Sequence, residues 1–352
     1  MPAKRFYDLS PYVPGEQPKD RAYIKLNANE NPFPPSPTVG KVLDSFDMNN
    51  FRLYPDPEAR ELRNAIAEMI GHGVTPDMVF VGNGSDEVLS FIFFTFFDSD
   101  RPLYFPEHTY SFYPVYAGFY SIPYRRVPLR EDFAIDEDAM LSGDSSGIIF
   151  PNPNAPTGIF MPIESVRKIL DGYPRDRVVV VDEAYIDFGG QTAVPLLREY
   201  PNLIVIRTFS KSFCFAGARL GYVVANPPLI EHLFTTKNSF NHFPVDALTQ
   251  KIGIASCRDR RYYEGINGEI MKTRDWFSAE LKRAGWEVLP SLANFVFARK
   301  PGLEGKAAYE AIKAKGILVR FFNSPGITDF VRITIGTGEQ MRALLDVMKG
   351  IV

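Results

Sequence analysis

The chain has 352 residues, 45% of them hydrophobic and 23% charged, with a formal net charge of −3. A balance so close to neutrality gives no global field to recruit nucleic acid or an anionic membrane. The length suits roughly two domains of about 150 residues each. The two cysteines, Cys214 and Cys257, lie far apart and form no metal or redox motif. No metal site is therefore expected. The basic start MPAKRFYDLS has no apolar segment behind it, so a free-thiol, cytoplasmic protein without a secretory leader is the expectation.

Residues 1–37 are rich in Pro, Gly and Asn (YVPGEQP, then NANENPFPPSP). Such a segment lies against other surfaces more readily than it builds a sheet. A polar helix is predicted at about 57–71, after YPDP, with proline at its start, acids in its first turn and glycine at its end. Apolar runs then recur at 78–81, 102–105, 121–127, 147–150, 177–182, 203–207 and 220–225, with room for a helix in most gaps. That is the α/β pattern. Several runs do not alternate, as strands covered on both faces do not. The aromatic run FIFFTFF at 91–97 is far too short to cross a bilayer and reads as the buried face of a core helix. Residues 38–240 are thus predicted to form a large α/β domain with a mostly parallel sheet. After it, a helical stretch from 242, the runs WEVLP, ANFVFAR, GILVRFF and FVRITIG and a helix at about 305–315 make a smaller α+β domain over 241–352.

Ligands in such sheets bind beyond the carboxyl ends of the strands, and chemistry-bearing residues gather there. GNGSDE (82–87) offers glycines and the N–H groups of a helix start near Ser85, an anion site, although a plain turn with a serine cap explains the same residues. It lacks the third glycine of a dinucleotide fingerprint. PNPNAPTG (151–158) reads by itself as a proline-stiffened loop. Asp182 ends a wholly apolar strand, a costly place for an acid unless it meets a cation or a proton donor; an ordinary buried ion pair would answer it as well as a cationic ligand. Lys211 follows LIVIR inside TFSKS, with Arg219 eight residues on; a lysine so placed can serve as an amine nucleophile, although most lysines are merely solvated or paired. An anion cradle, a buried acid, Tyr185 three residues past it and a Lys–Arg pair together suit one ligand, pyridoxal 5′-phosphate, which has a ring nitrogen, a phenolic oxygen, an aldehyde and a phosphate.

At this point the sequence resembles the class I/II aminotransferases of pyridoxal-phosphate fold type I, and within them the histidinol-phosphate aminotransferases. The motifs LSPYVPGEQP, KLNANENPFPPSP, YPDP, GNGSDE, FPEHTYSFY, NPNAPTG, VVVDEAYIDF, RTFSKSFCFAGARLGY, ANFVFAR and VRITIG follow the family's order over nearly the whole chain. The resemblance implies that Lys211 carries the cofactor and shuttles a proton, that Asp182 pairs with the ring nitrogen and that Tyr185 donates to the phenolic oxygen. It implies that Tyr110 stacks on the ring, that Gly84, Ser85, Asp86, Thr208, Ser210 and Arg219 hold the phosphate, and that Tyr54 reaches it from the partner subunit of a homodimer. Tyr12, Arg320 and Arg332 match the family's positions for the substrate's anionic end. The implied reaction moves an amino group between L-histidinol phosphate and 2-oxoglutarate by a ping-pong route in histidine biosynthesis.

One position departs from the family. The asparagine that commonly precedes Pro-Thr-Gly is Ala155 here, which leaves Asn154 or Asn152 to supply an amide to the phenolic oxygen. Three alternatives share parts of the pattern: an aromatic-amino-acid aminotransferase, a threonine-phosphate decarboxylase, and a cofactor-sensing regulator without turnover. The last usually carries an N-terminal DNA-binding domain, and no basic helix-turn-helix precedes the arm here.

Overall fold

The computed structural model describes residues 1, 4–98 and 100–351. In chain order its elements are β1 (Ile24–Lys25), α1 (Pro37–Ser45), α2 (Arg60–Ile70), β2 (Val79–Asn83), α3 (Gly84–Phe96), β3 (Leu103–Pro106), α4 (Tyr113–Phe119), β4 (Tyr124–Val127), α5 (Glu137–Met140), β5 (Gly147–Pro151), α6 (Ile163–Gly172), β6 (Val179–Asp182), β7 (Leu203–Thr208), β8 (Leu220–Ala225) and α7 (Pro227–Phe240). They continue with α8 (Ala247–Arg258), α9 (Arg260–Arg283), β9 (Glu287–Val288), β10 (Phe295–Arg299), α10 (Gly305–Ala314), β11 (Ile317–Leu318), β12 (Arg320–Phe321), β13 (Val331–Thr334) and α11 (Gly338–Lys349).

Seven strands form the main sheet in the order β2-β8-β7-β6-β5-β3-β4. Every pair in it is parallel except those made by β8, which runs against both neighbours. The non-alternating runs have the cause the sequence suggested. Val79, Val81, Val179, Val181, Leu203 and Val205 enter one apolar core, while Phe80, Val180, Ile204 and Ile206 enter another on the opposite face. Period-two geometry sends successive side chains to opposite faces, so a strand with helices on both sides must be apolar throughout. The FIFFTFF run belongs to α3 and its end, with Phe91, Ile92, Phe93 and Phe97 buried and Phe94 turned outward.

A four-stranded antiparallel sheet, β12-β13-β10-β9, builds the smaller unit, and β1 pairs in parallel with β11. Leu26 enters the smaller unit's core, so the N-terminal arm packs on that unit. The predicted boundary at 240/241 needs correction. Val245, Ile252, Ile254, Cys257 and Tyr263 pack in the core of the large sheet, and only from Ile270 onward does α9 join the smaller core. One continuous 24-residue helix therefore serves both cores. Composition could not reveal this, because a helix changes the surface it faces without any break in its sequence.

Candidate active site

The carboxyl ends of β2, β5, β6 and β7 converge on a cavity of about 170 Å³. Its walls include Ser85 and Asp86 from the start of α3, Tyr110 after β3, Asp182 and Tyr185 after β6, and Ser210, Lys211 and Arg219 after β7. A second cavity of about 210 Å³ shares Ala28, Tyr110, Ala155, Tyr185 and Lys211 with it and adds Tyr12, Arg320 and Arg332. Motifs more than 300 residues apart thus meet in one two-part cleft.

Asp182 lies at the bottom, 4% exposed. Its Oδ2 accepts from the Tyr113 hydroxyl at 2.9 Å and its Oδ1 from the Ala184 N–H at 3.1 Å. Burial pushes its carboxyl up to about 6, against the pull of those two donors. No cationic side chain forms an ion pair with it among the described residues. Lys211 Nζ reaches the Ala28 carbonyl at 3.3 Å and lies 5.8 Å from the Tyr185 ring centre. The Tyr185 hydroxyl accepts from Asn29 Nδ2 at 3.0 Å. Asn29 is itself clamped: its N–H donates to Thr334 Oγ1, and its carbonyl accepts from Asn294 Nδ2.

The anion cradle differs in detail from the sequence reading. The helix starts at Gly84 rather than Ser85, and the capping contact comes from Glu87, whose Oε2 accepts from the Asn83 N–H at 2.7 Å. Ser85 is therefore no cap, and it lines the cavity beside Asp86. Gly84 has φ +80°, and a Cβ there would stand 2.4 Å from Arg219 Nη2. Arg219 binds Asp86 Oδ2 at 2.9 Å, and Asp86 Oδ1 accepts from the Tyr110 hydroxyl at 2.8 Å. Ser210 Oγ is buried without a hydrogen-bond partner among the described residues. Thr208 Oγ1 is turned to the Ser210 N–H, behind the wall.

Besides Thr208, the loop asparagines Asn154 and Asn152 and Tyr54 of the same chain are not brought to the cleft. Asn154 spends its amide hydrogens on the His108 carbonyl and Thr157 Oγ1 and lines a separate cavity. Asn152 is bonded both ways to the Met161 backbone. Neither loop asparagine replaces the missing one. Ala155 presents only a methyl group to both cavities, and the amide that reaches Tyr185 is that of Asn29. Tyr54 is 84% exposed and stacks on Phe243 at 4.6 Å, away from the cleft of its own chain. Tyr113 and Asn29 escaped the sequence reading. Tyr113 opens α4, and nothing local in its sequence ties it to Asp182.

At the outer end, Arg320 and Arg332 are register partners on β12 and β13. Both guanidinium groups stand over the Phe322 ring, at 5.5 and 5.3 Å. Arg320 donates to the Val13 and Pro14 carbonyls and Arg332 to that of Asn27. Neither has a carboxylate partner among the described residues, and burial lowers the pKa of Arg332. Tyr12 packs against Phe112 at 5.0 Å and closes the same cavity.

Residues 21–348 match the family model described as aminotransferase class I and II. The chain belongs to that family. It is 55% identical to the histidinol-phosphate aminotransferase of Syntrophus aciditrophicus over 99% of this chain and 97% of the relative. It is 48% identical to histidinol-phosphate aminotransferase 2 of Dechloromonas aromatica over 98% and 97%. Among solved structures it is similar to histidinol-phosphate aminotransferase from Sinorhizobium meliloti in complex with pyridoxal-5′-phosphate, at TM-score 0.84 and 25% identity over 94% of this chain and 92% of that one. This aminotransferase therefore has the architecture of a known enzyme class. Among its described residues no cluster suits a metal ion, and no helix is long and apolar enough to cross a membrane.

Proposed function

We propose that this aminotransferase carries pyridoxal 5′-phosphate on Lys211 and transfers the amino group of L-histidinol phosphate to 2-oxoglutarate in two half-reactions, as a cytoplasmic homodimer. The observation that carries the substrate reading is the pair Arg320 and Arg332. Two guanidinium groups without carboxylates face one cavity that Lys211 also lines. Histidinol phosphate has no carboxylate, so its phosphate and the α-carboxylate of glutamate must use the same cations in turn, and two arginines with Tyr12 suit both. The names of the curated relatives support the same substrate.

The residues present fit the cofactor. A buried carboxylate without a cation, a buried serine hydroxyl without a partner and an arginine beside a helix start answer a ring nitrogen and a phosphate. When bound, pyridoxal phosphate supplies the aldehyde that takes up the amino group and the ring that accepts the electron pair. Asp182 then holds a proton on the ring nitrogen, and that cation favours its ionised form. The Tyr185 hydroxyl, already accepting from Asn29, donates to the phenolic oxygen. Lys211 Nζ would take up the proton lost from the substrate's amino-bearing carbon and hold it within the cleft for return. Arg219 and the first N–H groups of α3 bind the phosphate, and Tyr54 of the partner subunit completes that site.

The test is a half-reaction screen. Histidinol phosphate is expected to convert the pyridoxal form to the pyridoxamine form, and 2-oxoglutarate to reverse it. Each charge-assisted contact contributes about 1.5–3 kcal/mol, so free histidinol is expected to react at least tenfold less well. Arg320→Ala should weaken histidinol phosphate more than phenylalanine, whereas Arg332→Ala should impair glutamate too. A higher kcat/KM for phenylalanine, or loss of CO₂ from threonine phosphate, would replace this reading.

A further inference from the structure

Behind the strand ends that carry Asp182 and Lys211 lies a second polar assembly, and none of its members lines the cleft. Glu183, the residue after Asp182, is 1% exposed. Its Oε2 accepts from Arg207 Nη1 at 3.0 Å and Thr192 Oγ1 at 2.7 Å, and its Oε1 from the Ala193 N–H at 2.5 Å. Arg207, near the end of β7, extends its other nitrogen to Asp187 Oδ1 at 2.5 Å. Asp187 Oδ2 in turn accepts from Ser212 Oγ at 2.5 Å, and Ser212 follows Lys211 in the chain. The path Asp182–Glu183···Arg207···Asp187···Ser212–Lys211 closes a ring between the two chemically decisive residues.

Stability alone does not account for such a ring. A buried ion-pair cluster is often no more stabilising than apolar residues of the same volume. Its gain is a fixed geometry, and the segment that needs one is at hand. Past Thr208 the chain leaves the ladder and runs through turns, with Cys214 and Arg219 at φ +62° and +56°. Lys211 sits in that irregular stretch. Its carbonyl is held by Asn31 Nδ2 at 3.0 Å, and on its other side the tie from Ser212 to Asp187 supplies the anchor that strand pairing no longer gives.

We infer that Asp187 and Arg207 are positioning residues that act through Ser212 to set where Lys211 presents its amine relative to Asp182. The inference rests on the reading of Lys211 as the cofactor-bearing lysine. The far side of the ring opens on a cavity of about 420 Å³ that Asp187 and Arg207 line together with His72, Arg260 and Glu264. Those three groups are unchanged in the variants below, as are Asp182 and Tyr185, which share the cleft with Lys211.

The experiment compares cofactor-loaded wild type, Ser212→Ala and Asp187→Asn. Ser212→Ala removes only the tie, so it remains informative should Asp187→Asn fold poorly. Both variants are expected to lower kcat about tenfold while KM changes less than about twofold, because misplacement of a reacting group costs rate rather than binding. In Asp187→Asn the pH midpoint of the lysine-bound cofactor's absorbance should also fall, since removing an anion, and leaving Arg207 less neutralised, disfavours the protonated form. Variants that lose only thermal stability, with kcat, KM and midpoint unchanged, would overturn the inference. Covalent cofactor attachment persisting in Lys211→Ala would instead overturn the reading beneath it.

Discussion

Asp182 shows how one buried acid can weaken the cofactor-free fold at the place where the proposed function puts a ring nitrogen. Its buried carboxyl stands at about 6 against an ordinary 3.8. The folded chain thus holds this proton more tightly than the unfolded chain does. Its contribution is greatest below about pH 4 and is lost as pH rises through 6, at a cost on the order of 3 kcal/mol above that range. Asp182→Asn, nearly isosteric and never charged, is expected to raise the melting temperature of the cofactor-free protein at pH 8, with the gain vanishing toward pH 4. Equal melting temperatures at pH 8 would show that the carboxylate carries no such penalty. Tyr113 opposes the penalty by donating to Oδ2. Tyr113→Phe removes one hydrogen bond worth about 1 kcal/mol and should weaken cofactor binding roughly fivefold, measured by titrating cofactor-free protein at pH 7.5.

At the scale of the element, the proposed phosphate cradle is an arrangement of α3 against β8. Gly84 takes φ +80°, a conformation costing roughly 1–2 kcal/mol for a residue with a Cβ, and that Cβ would also displace Arg219. Gly84→Ala should therefore lower cofactor affinity at least tenfold, read by the same titration. Gly221 on β8 is less forgiving, because a Cβ there would lie 2.4 Å from the Ser85 nitrogen and 2.5 Å from the Gly84 carbonyl carbon, backbone atoms that cannot swing aside. Gly221→Ala is expected to lose soluble protein or several degrees of melting temperature. Gly217→Ala, where nothing lies within 4 Å, is the matched control and should behave as wild type.

At the scale of the whole molecule, the arm is what makes the two units one enzyme. Arg320 binds the Val13 and Pro14 carbonyls, and Lys313 pairs with Glu16, which holds Tyr12 over the cleft. Arg320→Ala should free this segment, and limited proteolysis is expected to cut within residues 8–20 faster than in wild type; an unchanged cleavage rate would mean that other contacts hold the arm. Tyr54 stands with exposed Leu43, Met48, Phe51 and Leu53, a run of apolar surface that a second copy would cover. Sedimentation should show a dimer, and Tyr54→Phe should weaken cofactor binding by several-fold. A fully active monomer would remove Tyr54 from the site.

The sheet was legible, and the proposed cofactor-bearing lysine conspicuous, because their signals are local. A strand buried on both faces must be apolar along its length, and Asp182 and Lys211 stand out against such runs without any knowledge of their neighbours. The outer arginines were suggested only by family resemblance, since an arginine on a short strand reads equally well as surface. Other features were decided by tertiary contacts alone. The side-chain directions of Asn152 and Asn154 depend on which backbone groups the folded loop brings near, and the amide found at the Tyr185 hydroxyl comes from Asn29, over 120 residues earlier. The boundary inside α9 depends on which core each turn meets. The ring from Glu183 to Ser212 joins residues whose charges look like ordinary surface polarity until β6 and β7 lie side by side. Burial in low dielectric gives these groups their meaning, and burial belongs to the fold, not to any stretch of the chain.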